Sequence, residues 1–167
     1  MRRHPERGFT LLESMVAVAI VAVLMTLALP SFGGMLSRQR LKSAAEQMAL
    51  DLSELRLQAA QRGQSMHLDV QGGAQWCYAL AVTAGCDCRV PQGCQLKTVQ
   101  SRDHPGVNLV EAGALRVDPL PGTSSGSVSG SVMLQSADGQ RLRVAMTPLG
   151  RARVCAPGPA FAGYPSC

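Results

Sequence analysis

Aromatic side chains are scarce in this chain: three Phe, two Tyr and one Trp, 4% of its 167 residues. Any core must therefore be built from Val, Leu, Ala and Met. Histidine is scarcer still. His4 lies close to the N-terminus, and His67 and His104 stand alone, neither in a nucleophile or acid–base motif. There is no glycine pattern of a phosphate-binding loop and no H-E-x-x-H. These absences read as a protein that is not an enzyme. Internal repeats and an interdomain linker are missing too, and the length suits one domain rather than two.

What is present is concentrated. Apolar residues make up 46% of the chain, and many crowd into the first thirty positions. The run MVAVAIVAVLMTLAL, Met15 to Leu29, contains no charge. Phe9 to Leu29 is 21 residues, which at ~1.5 Å rise each crosses a bilayer core of about 30 Å. The short opening MRRHPERG is basic, so it is expected to stay cytoplasmic, with everything after Leu29 outside the inner membrane. An ordinary secretory signal has its small-residue cleavage site after the apolar run, and ALPSF is a poor version of one.

The unusual feature lies in front of the run, at Gly8-Phe9-Thr10-Leu11-Leu12-Glu13. A carboxylate inside a membrane segment costs roughly 2.5–3.5 kcal/mol and usually has a partner. For Glu13 the natural one is a positive group of a neighbouring subunit, or the free amine created by cleavage before Phe9; the plainer alternative is a carboxylate snorkelling to the interface.

GFTLLES followed by an apolar run resembles the class III signal of type IV pilins and type II secretion pseudopilins. The resemblance implies that prepilin peptidase cuts after Gly8 and methylates the new amine on Phe9. It implies further that Glu13 pairs with a subunit's N-terminal amine during assembly. Loss of residues 1–8 removes three positive charges and one negative, taking the formal balance from +5 to +3. Such a mild positive charge permits an anionic polymer as partner without requiring one.

Pro30 is expected to kink or loosen the helix, with Gly33 and Gly34 adding local freedom. Helical pattern then resumes. Leu41, Ala45, Met48, Leu52, Leu55 and Ala59 recur at spacings of three and four, while Arg38, Arg40, Lys42, Glu46, Asp51, Glu54 and Arg56 fall mostly on other faces. Gly63 reads as the C-cap. Beyond it the period becomes two. Strands are predicted at Met66–Val70, Trp76–Val82, Leu96–Val99, Val107–Val110, Ser131–Leu134, Arg141–Met146 and Arg151–Cys155. Asp138-Gly139 marks a hairpin, Cys86–Cys94 a loop, and Pro119–Gly130 a long mobile loop. The predicted fold is α+β: a long N-terminal helix, its first half transmembrane, packed on a C-terminal antiparallel sheet, pilin-like. The predicted segments are a cleaved leader 1–8, a membrane and filament-core helix 9–29, an amphipathic helix 30–62, and a sheet domain 63–167 with a disulfide-linked tail.

All six cysteines, Cys77, Cys86, Cys88, Cys94, Cys155 and Cys167, follow the apolar segment. An even count after a membrane-directing segment favours disulfides in an oxidising compartment. A Cys155–Cys167 bridge would hold the Pro- and Gly-rich tail APGPAFAGYPS to the last strand. The other four would then pair among themselves, in an order the sequence leaves open. The competing use is zinc, but C-x-C-x5-C does not match paired C-x2-C knuckles. No metal site and no cofactor is expected.

Near the C-terminus stands Gly150-Arg151-Ala152-Arg153-Val154-Cys155. On a strand Arg151 and Arg153 share one face, and Arg141 and Arg143 repeat that spacing on the strand before. Four guanidiniums on adjacent strands could form one basic patch able to pair with phosphate oxygens; the alternative is two solvated arginine pairs. The class III signal together with GRARVC…GYPSC resembles the FimT branch of the GspH/FimT minor pilins. In that branch, proteins of naturally transformable bacteria use a C-terminal GRxR motif in DNA binding during uptake. The resemblance implies DNA-binding roles for Gly150, Arg151 and Arg153, with Arg141 and Arg143 added by the strand pattern.

The resemblance covers the first sixty residues and the last twenty; the middle cysteine cluster departs from it. It implies as partners major and minor pilins, prepilin peptidase, the inner membrane before assembly, and double-stranded DNA bound without sequence preference. Two rival readings remain: a structural minor pilin or GspH-like type II secretion pseudopilin that assembles filaments without DNA, and an extracellular zinc module.

Overall fold

The computed structural model describes residues 10–73, 75–91, 93–113, 115–119, 130–147, 149–158 and 161–167, except for the side chains of 27–31. The chain divides into two compact units, Met1–Leu36 and Ser37–Cys167. One helix, α1 (Leu11–Arg62), contributes to both.

In the first unit Thr10 opens the helix. Its Oγ1 accepts the Glu13 amide at 3.3 Å, satisfying one of the orphan donors of the first turn. Leu11, Leu12, Met15, Val16, Val18, Ile20, Val21, Val23, Leu24 and Met25 are all exposed. A single chain leaves this apolar surface uncovered, a feature of surfaces meant for lipid or for other chains. Thr26 turns its hydroxyl back onto the Val23 carbonyl at 2.7 Å, so it presents little polarity. The expected membrane segment 9–29 begins at Phe9 and ends on side chains outside the described residues. Among the described residues no helix is long and apolar enough to cross a membrane. Pro30, Gly33 and Gly34 do not end α1. A nucleated helix extends at little cost, so one missing hydrogen bond is outweighed by the bonds that flank it.

In the second unit the predicted stripe faces inward. Leu41, Ala45, Met48, Leu52, Leu55 and Ala59 are fully buried in one core. Each large aliphatic side chain so placed contributes about 1.5–3 kcal/mol. The helix stops at Gly63, whose φ of +65° is open to glycine without strain. The Gln64 amide then donates to the Ala59 carbonyl at 3.3 Å and closes the last turn.

Among the described residues eight strands follow: β1 (Met66–Gln71), β2 (Cys77–Ala81), β3 (Gln95–Gln100), β4 (Val107–Glu111), β5 (Leu115–Val117), β6 (Ser131–Ser136), β7 (Arg141–Met146) and β8 (Ala152–Cys155). They form two four-stranded antiparallel sheets, ordered β3-β2-β1-β5 and β4-β6-β7-β8. Periodicity predicts a single sheet and does not reveal β5. The inner faces of both sheets meet the helix stripe: Met66, Leu68, Leu80, Leu115 and Val117 from the first, Val132, Leu134, Leu142 and Val144 from the second. Trp76 fills the space beside them and donates its Nε1–H to the Val107 carbonyl at 2.7 Å. Asp51, expected among the charged residues that fall mostly off the apolar stripe, is buried.

β2 is buried at every position, which simple alternation would not give. Its second face, at Cys77 and Ala79, is covered by Cys88. The β6–β7 hairpin turns at Asp138-Gly139, and Ser37 on the helix donates its hydroxyl to the Asp138 carboxylate. Of the loop expected at Pro119–Gly130, residues 120–129 lie outside the described residues.

Candidate nucleic-acid interface

β7 alternates strictly. Leu142, Val144 and Met146 are buried, and Arg141, Arg143 and Ala145 face outward. Arg153 on β8 stands opposite Ala145, and Ala152 opposite Met146. Directly opposed residues share a face, so Arg153 lies on the outer face, diagonal to Arg143 and within reach of long side chains. Arg151, expected to begin the strand, lies instead in the turn just before β8, with its side chain exposed. The outer face therefore carries Arg141, Arg143 and Arg153, with Arg151 in the adjoining turn, all exposed except the half-buried Arg143.

The β7–β8 connection is tightly bonded. The Thr147 amide donates to the Arg151 carbonyl at 2.8 Å, and the Gly150 amide to the Thr147 carbonyl at 2.7 Å. The Arg151 amide donates to Thr147 Oγ1 at 3.1 Å. Gly150 has φ +72°, a conformation other residues adopt at a cost of about 1–3 kcal/mol. A Cβ there would also stand 3.1 Å from Nε and 3.4 Å from Cζ of Arg56 on the helix.

The four arginines differ in their surroundings. Arg143 reaches across β6 to Glu111 at the end of β4, with Nη2 to Oε2 at 3.7 Å, and its Nε is buried without a partner. The side chains of Arg141, Arg151 and Arg153 have no carboxylate and no hydrogen-bond acceptor among the described residues. Charges so placed are hydrated and open to an outside anion.

The C-terminal tail is fixed beside this sheet. Cys155 is bonded to Cys167. Ala156 and Cys167 are held together further: the Cys167 amide donates to the Ala156 carbonyl at 3.0 Å, and the Ala156 amide to the Pro165 carbonyl at 2.9 Å. Tyr164 donates its hydroxyl to Glu46 on the helix at 2.7 Å and lies edge-on to Phe161. Burial, then the Glu46 carboxylate, holds the Tyr164 phenol well above its ordinary range.

The remaining cysteines pair as Cys77–Cys88 and Cys86–Cys94. No cysteine is free, which removes the zinc reading, because ligation needs thiolates. Among the described residues no group of His, Cys, Asp and Glu is placed to hold a metal ion. The expected cleavage site, Gly8 and Phe9, lies outside the described residues. Glu13 occupies the first turn of α1 with its carboxylate exposed.

Two neighbours of the arginine face escaped the sequence. Arg56 is one ordinary basic residue of an amphipathic helix, and only the rotation of that helix aims it at Gly150. Glu111 meets Arg143 because β6 separates β4 from β7, an order that periodicity does not contain.

An N-terminal helix with an exposed apolar half, continuing into an α+β domain whose antiparallel sheets it covers, defines a pilin-like protein. Comparison with family models sharpens this. Residues 3–29 match the prokaryotic N-terminal methylation motif, and residues 44–150 match the family described as type II transport protein GspH. The chain belongs to that GspH/FimT family and is a minor pilin or a pseudopilin, a component of a filament. No curated protein and no solved structure gives a significant match.

Proposed function

We propose that this chain is a FimT-like minor pilin that binds duplex DNA without sequence preference and serves DNA uptake in natural transformation. The precursor sits in the inner membrane through residues 9–29 with its sheet domain in the periplasm. Prepilin peptidase cuts after Gly8 and methylates Phe9, and the mature chain joins other pilins in the filament. Glu13, exposed and without a side-chain partner among the described residues, is suited to receive the N-terminal amine of a neighbouring subunit. A mature chain whose mass places its first residue anywhere but Phe9 would refute this processing.

One observation carries the DNA-binding part: three arginines share the outer face of β7 and β8 with Arg151 in the turn between them, and Arg141, Arg151 and Arg153 have no intramolecular counterion among the described residues. Guanidiniums on a flat, exposed sheet can track phosphates of any sequence. The test is a mobility-shift titration of the full chain in non-ionic detergent with a short duplex at several salt concentrations. Replacing Arg151 and Arg153 by Ala should flatten the dependence of log K on log salt by about 0.9 for each phosphate no longer neutralised. An unchanged slope and affinity would refute the reading.

A second reading, a structural minor pilin or type II secretion pseudopilin, draws on where the family match ends. It stops at Gly150, so Arg151 and Arg153 lie outside the matched residues. The exposed Leu50 and Leu57, two turns apart on the helix, would then serve contacts between subunits. Association with partner pilins that survives nuclease treatment, together with absence of DNA binding, favours this reading.

A further inference from the structure

Arg56 lies on the helix beside the β7–β8 turn. It is half-buried, yet it has no carboxylate and no hydrogen-bond partner among the described residues. The acids nearest to it on α1 are occupied elsewhere. Asp51 accepts bonds from Gln47, Tyr78 and Lys97, and Glu54 accepts from Gln58. Arg56 stands six residues before the helix ends at Arg62, outside the last turn where the helix dipole favours a cation. No intramolecular charge among the described residues therefore accounts for its position.

Its packing is nonetheless specific. The guanidinium lies against the backbone of Gly150, so close that even a methyl group there would press on its Nε. The residue after Gly150 is Arg151. The glycine of the arginine motif thus does two things: it takes the φ of +72° that the turn needs, and it leaves room for a planar cation from the helix beside the motif.

Resting on the DNA-binding reading above, we propose that Arg56 contacts a backbone phosphate of DNA bound at the β7–β8 turn, where the helix meets Gly150 next to Arg151. The guanidinium nitrogens of Arg56 are not sealed from water, and an arriving phosphate can accept two parallel hydrogen bonds from them. Backing by Gly150 restrains the fork before DNA arrives, so little side-chain freedom is left to lose on binding.

Two measurements on the full chain in non-ionic detergent test this. In the first, Arg56→Gln is titrated with duplex DNA between roughly 50 and 200 mM salt beside wild type, Arg56→Lys and the Arg151→Ala/Arg153→Ala variant. The expected result for Arg56→Gln is a loss of affinity of roughly 5- to 10-fold and a salt slope flatter by about 0.9. Arg56→Lys should keep the slope, because it keeps the charge. A slope for Arg56→Gln equal to wild type overturns the proposal. If the double variant's slope is flattened in that case, the DNA-binding reading stands without Arg56; if wild type itself fails to bind DNA, both fall.

The second measurement needs no variant. Phenylglyoxal modification of wild type, read by peptide mass, should be slowed at Arg56 and Arg151 by saturating duplex and unchanged at Arg89. Modification of Arg56 at the same rate with and without DNA overturns the proposal even where Arg56→Gln fails to fold.

Discussion

The Tyr78 hydroxyl donates a 2.8 Å hydrogen bond to Asp51 Oδ2 and ties the middle of the helix to the second strand inside the core. Asp51 Oδ1 accepts from Gln47 Nε2 at 2.9 Å and from Lys97 Nζ at 2.7 Å. Both carboxylate oxygens are thereby satisfied although the residue is only 2% exposed. Burial, then the charge of Asp51, pushes the Tyr78 phenol far above its ordinary range, so it remains a donor at any physiological pH.

Two substitutions should therefore differ in cost. Tyr78→Phe removes one bond to a charged acceptor and leaves the other donors in place, a loss of about 1.5–3 kcal/mol. Asp51→Ala leaves the buried Tyr78 hydroxyl without its acceptor and removes the bonds from Gln47 and Lys97 as well, so its cost should be larger, about 3–5 kcal/mol. Urea denaturation of the two variants checks the order. An Asp51→Ala chain more stable than Tyr78→Phe would show that the carboxylate does not organise this contact.

His104 should make the fold sensitive to mild acid. Its ring stacks on Trp76 with centroids 6.2 Å apart. Burial lowers its pKa, against the attraction of Asp103 and Asp51, which act to raise it. A histidine with a lowered pKa in the folded state binds fewer protons than in the unfolded chain. Its contribution is therefore complete above about pH 6.5, the unfolded value, and declines as the pH falls below it. The unfolding midpoint should drop on moving from about pH 7.5 to about pH 5. In His104→Gln that drop should be smaller, and an identical pH profile for the variant would refute the assignment.

How far the sequence carried the fold depended on periodicity. The six-residue helix stripe, the Gly63 stop and the Asp138-Gly139 hairpin were legible because each is a local pattern with a local cause. The division into two sheets was not, since strand order is a tertiary fact and β5 has only three residues, too few to show alternation. Asp51 read as a polar-face residue because a carboxylate usually is one; its burial depends on Tyr78 and Lys97, 27 and 46 positions away. For the site, alternation placed Arg141 and Arg143 on one face of a strand. The crossing of the helix over Gly150 and the reach of Glu111 lay beyond any pattern along the chain.

The tail offers a test of the third disulfide. Cys155 and Cys167 close a loop over a sequence separation of 12. Opening it by Cys155→Ser/Cys167→Ser should cost about 2–4 kcal/mol, through greater freedom of the unfolded chain. Among the described residues the tail would keep the bond from Tyr164 to Glu46, the Lys42 ammonium 5.9 Å from the Tyr164 ring centre, and the packing of Phe161 and Tyr164 on the core. The loop contains no Lys or Arg but does contain Phe161 and Tyr164. Chymotrypsin should therefore cut the double variant within the tail much faster than wild type, while trypsin should show little difference there. Equal chymotrypsin rates would mean that side-chain packing alone holds the tail.

Glu111 provides the sharpest local test of the arginine face. Its Oε2 lies 3.7 Å from Arg143 Nη2, and both side chains retain solvent, at 57% and 34% exposure. An exposed pair of this kind stabilises the fold by no more than about 1 kcal/mol. Its effect on an incoming polyanion is larger in relative terms, because one acid both neutralises an arginine and repels phosphate. Glu111→Gln should thus leave the melting temperature nearly unchanged and raise affinity for duplex DNA by roughly 2- to 5-fold at low salt, the gain fading as ionic strength shortens the range of charge. Arg143→Gln should do the reverse, and the two changes combined should fall between them. Were Glu111→Gln to leave DNA affinity untouched at low salt, the phosphates would not pass near β4, and the interface would be confined to β8 and the turn at Gly150.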